Sequence, residues 1–385
     1  SRAIIATDSM DKRVFFILCI FFSFDIVFVL FAHKSTHYNP NSHQLDTGKY
    51  AYCWNLRKKP YLCTMTRGRF APSPTGRMHL GNVFCALLSW LSAKSKGGEW
   101  VLRIEDLDPQ RSKREYALQL MDDLQWLGLT WDGDPVWQSQ RGDIYEQYLK
   151  QLATMQMIYP CYCTRADIMA TQAPHETDGR IVYKGTCRPE HHSVQSSIPS
   201  PSDSLSPSED SLASTLISQA ATIRLMVPDE NIPFVDGHYG EQSINLTEHC
   251  GDYIIRRKDG AWAYQLAVVI DDALMGVNEI VRGRDLLLSS PQQIHLRKVL
   301  FPNKSEKVNF IHHPLLCNMQ GQRLCKRDKS MDLGFMRQEG KTAKEIIGYL
   351  AHLAGLTDKA YDASPQELLP LFSWHKISRE DIQVE

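Results

Sequence analysis

The stretch Arg69-Phe-Ala-Pro-Ser-Pro-Thr-Gly-Arg-Met-His79-Leu80-Gly81-Asn82 constrains this chain more than any other part of it. Two prolines stiffen a loop that follows the strand-like RFA and delivers a histidine and a glycine to a helical run from about Gly81 to Ala93. Such a helix start favours anions, because unpaired backbone N–H groups and the helix dipole point at them, and Gly81 leaves room for a nucleotide. A second strand-like run, WVLRIEDLD (100–108), ends in three carboxylates. After it, REYALQLMDDLQWLGL places Tyr116, Leu120, Leu124 and Leu127 at helical spacing. Strand, loop, helix, strand is the opening of a parallel α/β sheet, a fold whose sites gather at strand ends.

Composition narrows the function classes. At 385 residues with 43% hydrophobic and 23% charged side chains, the chain has the material for sizeable cores and is neither disordered nor fibrous. Lys+Arg 43 against Asp+Glu 44 argues against coating nucleic acid or membrane by bulk charge, while allowing a local basic patch. Ten cysteines spread from Cys19 to Cys325 do not form a secreted disulfide framework, and three crowd into 161–187, which suggests a reducing compartment and one metal site. Cys161-Tyr-Cys163 and Tyr183-Lys-Gly-Thr-Cys187 supply three thiolates for a tetrahedral structural zinc. By spacing alone the fourth ligand is His191 or His192, and buried free thiols are the alternative to any metal.

Three further segments bear on organisation. The apolar run 14–32 is just long enough for a membrane span, but Asp25 sits inside it. The preferred reading is that 1–64 is not native coding sequence, with Met65 four residues ahead of the first motif. Residues 188–220 are rich in Ser and Pro and read as a mobile insert. YIIRRKDGAWAYQLAVVIDD (253–272) reads as two strands joined by a KDG turn, then the start of a helix.

The loop at 69–82, RIED at 103–106, AYQLAVVIDD at 263–272, EIVRGRDLL at 279–287 and GQRLCKRD at 321–328 occur in that order. Together they resemble the catalytic half of the class I glutamyl-tRNA synthetases over about 67–355, with His79-Leu80-Gly81-Asn82 in place of HIGH and Arg323-Leu324-Cys325-Lys326 in place of the KMSKS-type loop. Only 59 residues follow Lys326, too few for the helical anticodon-binding region of that group. In this the chain is similar to the truncated paralogues that join glutamate to queuosine in tRNA(Asp), the glutamyl-Q tRNA(Asp) synthetases. A short glutamyl-tRNA synthetase charging the 3′ end of tRNA(Glu) is the alternative, and a catalytically dead RNA-binding module is a third.

The resemblance implies a Rossmann-type parallel sheet with an inserted zinc-bearing domain and a short helical C-terminal region. The boundaries it implies are an extension at 1–65, catalytic halves at 66–160 and 252–312, the inserted domain at 161–251, and the loop with the helical region at 313–385. It makes Arg69 and Arg282 face the substrate carboxylates and Glu105 take the α-amino group, with Phe70, Ala71, Pro72, Ser73 and Tyr264 shaping the glutamate pocket. ATP falls to His79, Gly81, Asn82, Arg323 and Lys326, of which His79 and Lys326 are catalytic, and Mg2+ accompanies the nucleotide. Cys325 stands where the group carries Ser, and Arg323 where it carries Lys. For the zinc, the pattern points to Tyr183 beside Cys161, Cys163 and Cys187 rather than to a histidine. The partners implied are L-glutamate, ATP and queuosine-bearing tRNA(Asp), in the cytoplasm, with no protein partner and no membrane.

Overall fold

The computed structural model describes residues 65–170, 182–189, 221–304, 307–324 and 331–384, together with the backbone of 14–22 and 25–33. His191, His192, most of the Ser/Pro-rich insert, Cys325 and Lys326 lie outside the described residues. The chain divides into two units, Ser1–Cys63 and Thr64–Glu385. In the first, strands Val14–Phe22 and Asp25–His33 pair antiparallel with Phe22 opposite Asp25. The candidate span at 14–32 is therefore a hairpin of β-branched and aromatic residues rather than a helix. Among the described residues, no helix is long and apolar enough to cross a membrane.

The second unit is built on a five-stranded sheet whose adjacent strands all pair parallel. Its spatial order is Asn309–His313, Glu279–Gly283, Arg67–Phe70, Glu99–Ile104, Val136–Trp137. Numbered along the chain that is 5-4-1-2-3, so strand order reverses between the first and fourth strands. Ligands of open parallel sheets bind at the carboxyl ends of the strands beside such a switch point. The helix Leu80–Lys94 packs on the first strand with nearly every side chain buried, which its apolar sequence requires. At its far end Gly98 admits no side chain, since a Cβ there would stand 2.3 Å from the Thr66 carbonyl oxygen.

A second, antiparallel sheet joins Ile158–Cys161, Thr222–Leu225 and Tyr253–Arg256. The expected second strand after the KDG turn reduces to a single bridge from Trp262 to Arg256, because the helix Tyr264–Leu274 begins two residues later. The C-terminal region is helical at Ala343–Leu353, closed at its start by a Thr342/Glu345 capping box. Its apolar face, with Ile346, Ile347 and Leu350, enters the same core as the helix Leu80–Lys94.

Buried charge ties these parts together. Asp271, wholly buried on the helix Tyr264–Leu274, accepts hydrogen bonds from Gln138 (2.8 Å), Arg141 (2.6 Å) and Tyr145 (2.8 Å). Replacing it by alanine leaves two buried donors and a half-buried cationic one without their acceptor. Asp271→Ala should cost about 3 kcal/mol or more of folding free energy, measured by urea denaturation. A loss below ~1 kcal/mol would contradict this account of the hub.

Candidate active site

The loop after the first strand is held from both sides. The Glu105 amide donates to the Pro72 carbonyl (3.0 Å), and the Lys113 amide to the Pro74 carbonyl (3.0 Å). His79 ends the loop as the N-cap of the helix Leu80–Lys94: its Nδ1 accepts from the Gly81 amide (3.1 Å), while its own amide donates to the Asn82 side chain (3.2 Å). An Nδ1 that accepts leaves the imidazole proton on Nε2. Gly81 has a local reason in addition to nucleotide access, since a Cβ there would stand 3.0 Å from the His79 ring and displace it.

A cavity of about 490 Å³ opens at the switch point. The structure brings Arg69, Phe70, Ala71, Pro72, Ser73, His79, Gly81, Asn82, Glu105, Tyr264, Arg282 and Arg323 onto its walls, although they come from five separate stretches of sequence. Phe70 also serves the core, its ring stacked on Trp100 at 5.9 Å. Arg323 is ion-paired with Asp285 at the rim.

The buried arginines are partnered differently, and the difference separates structure from binding. Arg103 is saturated by carboxylates, reaching Asp272 at 2.5 Å and Glu105 at 3.1 Å. Burial works against its charge, but Asp272, Glu105 and Asp271 together outweigh that and hold it protonated. Arg69 lies 3.5 Å from Asp272. Burial raises the Asp272 carboxyl, yet Arg103 and Arg69 outweigh it and keep the group below its ordinary value. For Glu105 burial prevails over the same two arginines, and its carboxyl is held above the ordinary value. Glu105 is buried rather than part of a solvated acidic loop, whereas Asp106 is tied into the chain by the Ser139 amide (2.8 Å) and hydroxyl (2.6 Å).

Arg282 is 3% exposed and makes no ion pair among the described residues. The surface pair with Glu279 or Asp285 that its neighbours suggest does not form; Glu279 instead accepts from Ser92 and Lys96. Arg282 donates only to neutral acceptors: Nε to His312 Nε2 (3.0 Å), Nη1 to Gln293 (2.8 Å) and Nη2 to Ser290 (2.8 Å). Burial accordingly depresses its pKa. A guanidinium carries five N–H groups, so this one keeps donors for an anion. Sequence reasoning missed His312, Gln293, Ser290 and Asp236, since no spacing relates them to Arg282. The only linear signal was the His312-His313 pair ahead of Pro314.

A second cavity, about 400 Å³, shares Ser73, Thr75, Glu105 and Tyr264 with the first and is bordered by Arg111, Arg257 and Trp262.

The cysteine cluster stands on the antiparallel sheet. The sulfurs of Cys161, Cys163 and Cys187 lie within 4.8 Å of one another, with Cys163 and Cys187 at 3.5 Å. Tyr183 Oη lies 3.4 Å from Cys161 Sγ and 3.9 Å from Cys163 Sγ. Tetrahedral zinc at about 2.3 Å from sulfur and about 2.0 Å from oxygen implies S···S edges of about 3.8 Å and S···O edges of about 3.5 Å. The Cys163–Cys187 edge and the two Tyr183 edges lie within about 0.4 Å of those values. The Cys187 amide donates to Tyr183 Oη (2.7 Å) and the Arg224 guanidinium stacks 3.7 Å from the ring centre, but burial and the Cys161 thiol outweigh the Cys187 amide and hold the phenol above its ordinary value. Gly251, at φ +63°, bridges to Tyr183; a Cβ there would stand 1.9 Å from the Tyr183 carbonyl oxygen.

His313, which also lines the first cavity, makes the fold acid-sensitive. Its Nδ1 lies 2.7 Å from the Pro314 carbonyl, while Nε2 is buried with no hydrogen-bond partner among the described residues, and burial pushes the imidazole down to about 4. The unfolded chain takes up this proton near pH 6.5 and the folded chain does not, so the stabilisation is complete above 6.5 and is lost as pH falls toward 4. Stability should drop by about 3 kcal/mol from this residue alone across that window, and His313→Leu should lose correspondingly less between pH 7 and pH 4 in urea melts. Equal acid loss in both proteins would refute it.

The catalytic-domain model of the class I tRNA synthetases for E and Q matches residues 65–368. The chain is 40% identical over 330 residues to the glutamyl-Q tRNA(Asp) synthetase of Symbiobacterium thermophilum, covering 83% of this chain and 96% of that one. It is 40% identical over 318 residues to the namesake from Nitratidesulfovibrio vulgaris, covering 80% and 92%. Among solved structures it is similar to a glutamate tRNA ligase from Elizabethkingia meningosepticum in complex with its amino acid, with TM-score 0.66 and 27% identity over 83% of this chain and 67% of that one.

Proposed function

The chain belongs to the glutamyl-Q tRNA(Asp) synthetases, within the class I catalytic-domain family for E and Q, and from that premise we propose that it activates L-glutamate with ATP and transfers it to queuosine in tRNA(Asp). The observation that carries the substrate reading is Arg282, a buried cation held only by neutral acceptors beside Tyr264 on the cavity wall. A buried charge without a counterion is costly, and a substrate carboxylate supplies one. Arg69 reaches the other carboxyl group, and Glu105 takes the ammonium. Phe70, Ala71, Pro72, Ser73 and Tyr264 enclose the chain between them.

In the first step an α-carboxylate oxygen attacks the α-phosphorus of ATP, the bond to the bridging oxygen breaks and pyrophosphate leaves. Catalysis here is positioning plus charge stabilisation. His79 donates from Nε2 to a phosphate oxygen, Gly81 and Asn82 present the helix start, and Arg323 and Lys326 hold the leaving pyrophosphate. Mg2+ bound with ATP would supply neutralisation of phosphate charge. In the second step a queuosine hydroxyl attacks the adenylate carbonyl and AMP departs. The adjoining cavity would take that acceptor, with Trp262 as a stacking surface and Arg111 and Arg257 on its border as cations for the neighbouring phosphates.

Activation should proceed without tRNA and transfer only with modified tRNA(Asp). Incubation with labelled glutamate, ATP and tRNA(Asp), with and without queuosine, followed by nuclease digestion, should place label on the modified base alone. Label on the 3′-terminal adenosine, or equal labelling of unmodified tRNA, would favour the tRNA(Glu)-charging alternative.

Cys161, Cys163, Cys187 and Tyr183 would hold a structural zinc, which closes the site and leaves no position for a reactive water. Purified protein should contain about one equivalent of zinc, and its removal should lower the melting temperature more than it slows glutamate-dependent pyrophosphate exchange. Less than about a tenth of an equivalent would rule out a closed four-ligand site.

A further inference from the structure

We propose that His312, locked by Asp236, is a positioning residue for glutamate: its neutral imidazole orients the Arg282 guanidinium without neutralising it. This rests on Arg282 binding a substrate carboxylate, as proposed above.

Three buried groups stand in series. Asp236, at the end of the strand Asn231–Asp236, receives the backbone amides of His238 (2.9 Å) and Tyr239 (2.8 Å) on Oδ1, and His312 Nδ1 lies 2.6 Å from its Oδ2. A carboxylate so placed accepts, so Nδ1 carries the imidazole proton and Nε2 presents a lone pair. That lone pair is what Arg282 Nε–H finds at 3.0 Å. Asp236 and His312 both have side chains with no solvent exposure, which removes water as an alternative partner for either.

The order of the three groups has an electrostatic consequence. A carboxylate directly on Arg282 would orient it equally well, but would form an ion pair and remove most of its attraction for a second anion. That is the state of Arg103 with Asp272 and Glu105. With an imidazole interposed, the negative charge of Asp236 fixes the tautomer one ring away, and only a dipole touches the guanidinium. Gln293, itself held by Gln265 (2.9 Å), and Ser290 complete a neutral cradle on the other two nitrogens. Arg282 is thus oriented at all three nitrogens and keeps its charge. Its plane sets where a bidentate carboxylate lies, hence how far the rest of glutamate reaches toward ATP.

The two amide replacements of His312 separate orientation from mere packing. Glutamine places an oxygen near the position of Nε2, so it keeps an acceptor for Arg282. Asparagine reaches only the position of Nδ1, so it keeps the partner of Asp236 and removes that acceptor. In glutamate-dependent pyrophosphate exchange with the full chain, His312→Asn should raise KM for glutamate at least ten-fold while KM for ATP changes less than two-fold. His312→Gln should stay within about three-fold of the unmutated protein for both substrates. Melting temperatures are measured alongside. If His312→Asn does not fold, Asp236→Asn replaces it, since a neutral amide no longer fixes the tautomer, and the same selective rise in the glutamate KM is expected. Equal effects of the asparagine and glutamine variants, or KM values for ATP and glutamate moving together, would overturn the inference while leaving the proposed function standing. Absence of any glutamate-dependent exchange in the unmutated protein would overturn the functional reading itself, and this inference with it.

Discussion

Arg103 is the constraint on which the rest of the second unit depends. It is wholly buried on the second strand, and its two strongest partners come from different places: Glu105 two residues along the same strand end, and Asp272 from a helix 169 residues later. Moving a guanidinium out of water is costly unless its counterions arrive with it, so the sheet cannot close without the helix Tyr264–Leu274. Because Asp271 on that helix also gathers Gln138, Arg141 and Tyr145, one turn of helix joins both halves of the parallel sheet to the helix Gly142–Thr154. The chain between them leaves and returns through the antiparallel sheet that carries the cysteines.

The same cluster sets the electrostatics of the cavity. Asp272 is occupied by Arg103 and Arg69, and Glu105 is left with a carboxyl raised by burial. Arg282 makes no ion pair with these carboxylates among the described residues and is surrounded by neutral acceptors. The Arg282 side of the cavity is therefore short of anion, which suits a ligand that carries a carboxylate. His79 brings a third element, an imidazole whose tautomer is decided by the helix start that it caps.

The linear chain made much of this legible. Alternating strand and helix signals implied a parallel α/β sheet, and five ordered motifs indicated which family it resembles. Each of the five contributes described residues to the lining of one cavity. Cys161 and Cys163, like Tyr183 and Cys187, are close by local steps of two and four residues, but the two pairs meet only through contacts 20 or more residues apart in sequence. Two features were less legible. A run of apolar residues at 14–32 has the length of a span whether it is helix or hairpin, and length alone does not choose. The second strand of 253–272 was lost because Trp262 is followed at once by a helix start.

What the sequence determined by itself was residue chemistry and local conformation: a rigid loop before a helix start, a strand ending in carboxylates, a thiol-rich turn. Tertiary structure decided partnership. Nothing in the spacing distinguishes Arg103, Arg69 and Arg282, three arginines near strand ends, yet one is saturated by carboxylates, one shares Asp272, and one meets only neutral groups. The reason is physical. Burial costs act on whole neighbourhoods, and the neighbours of Arg282 arrive from Asp236, Ser290, Gln293 and His312, which only the folded chain brings together.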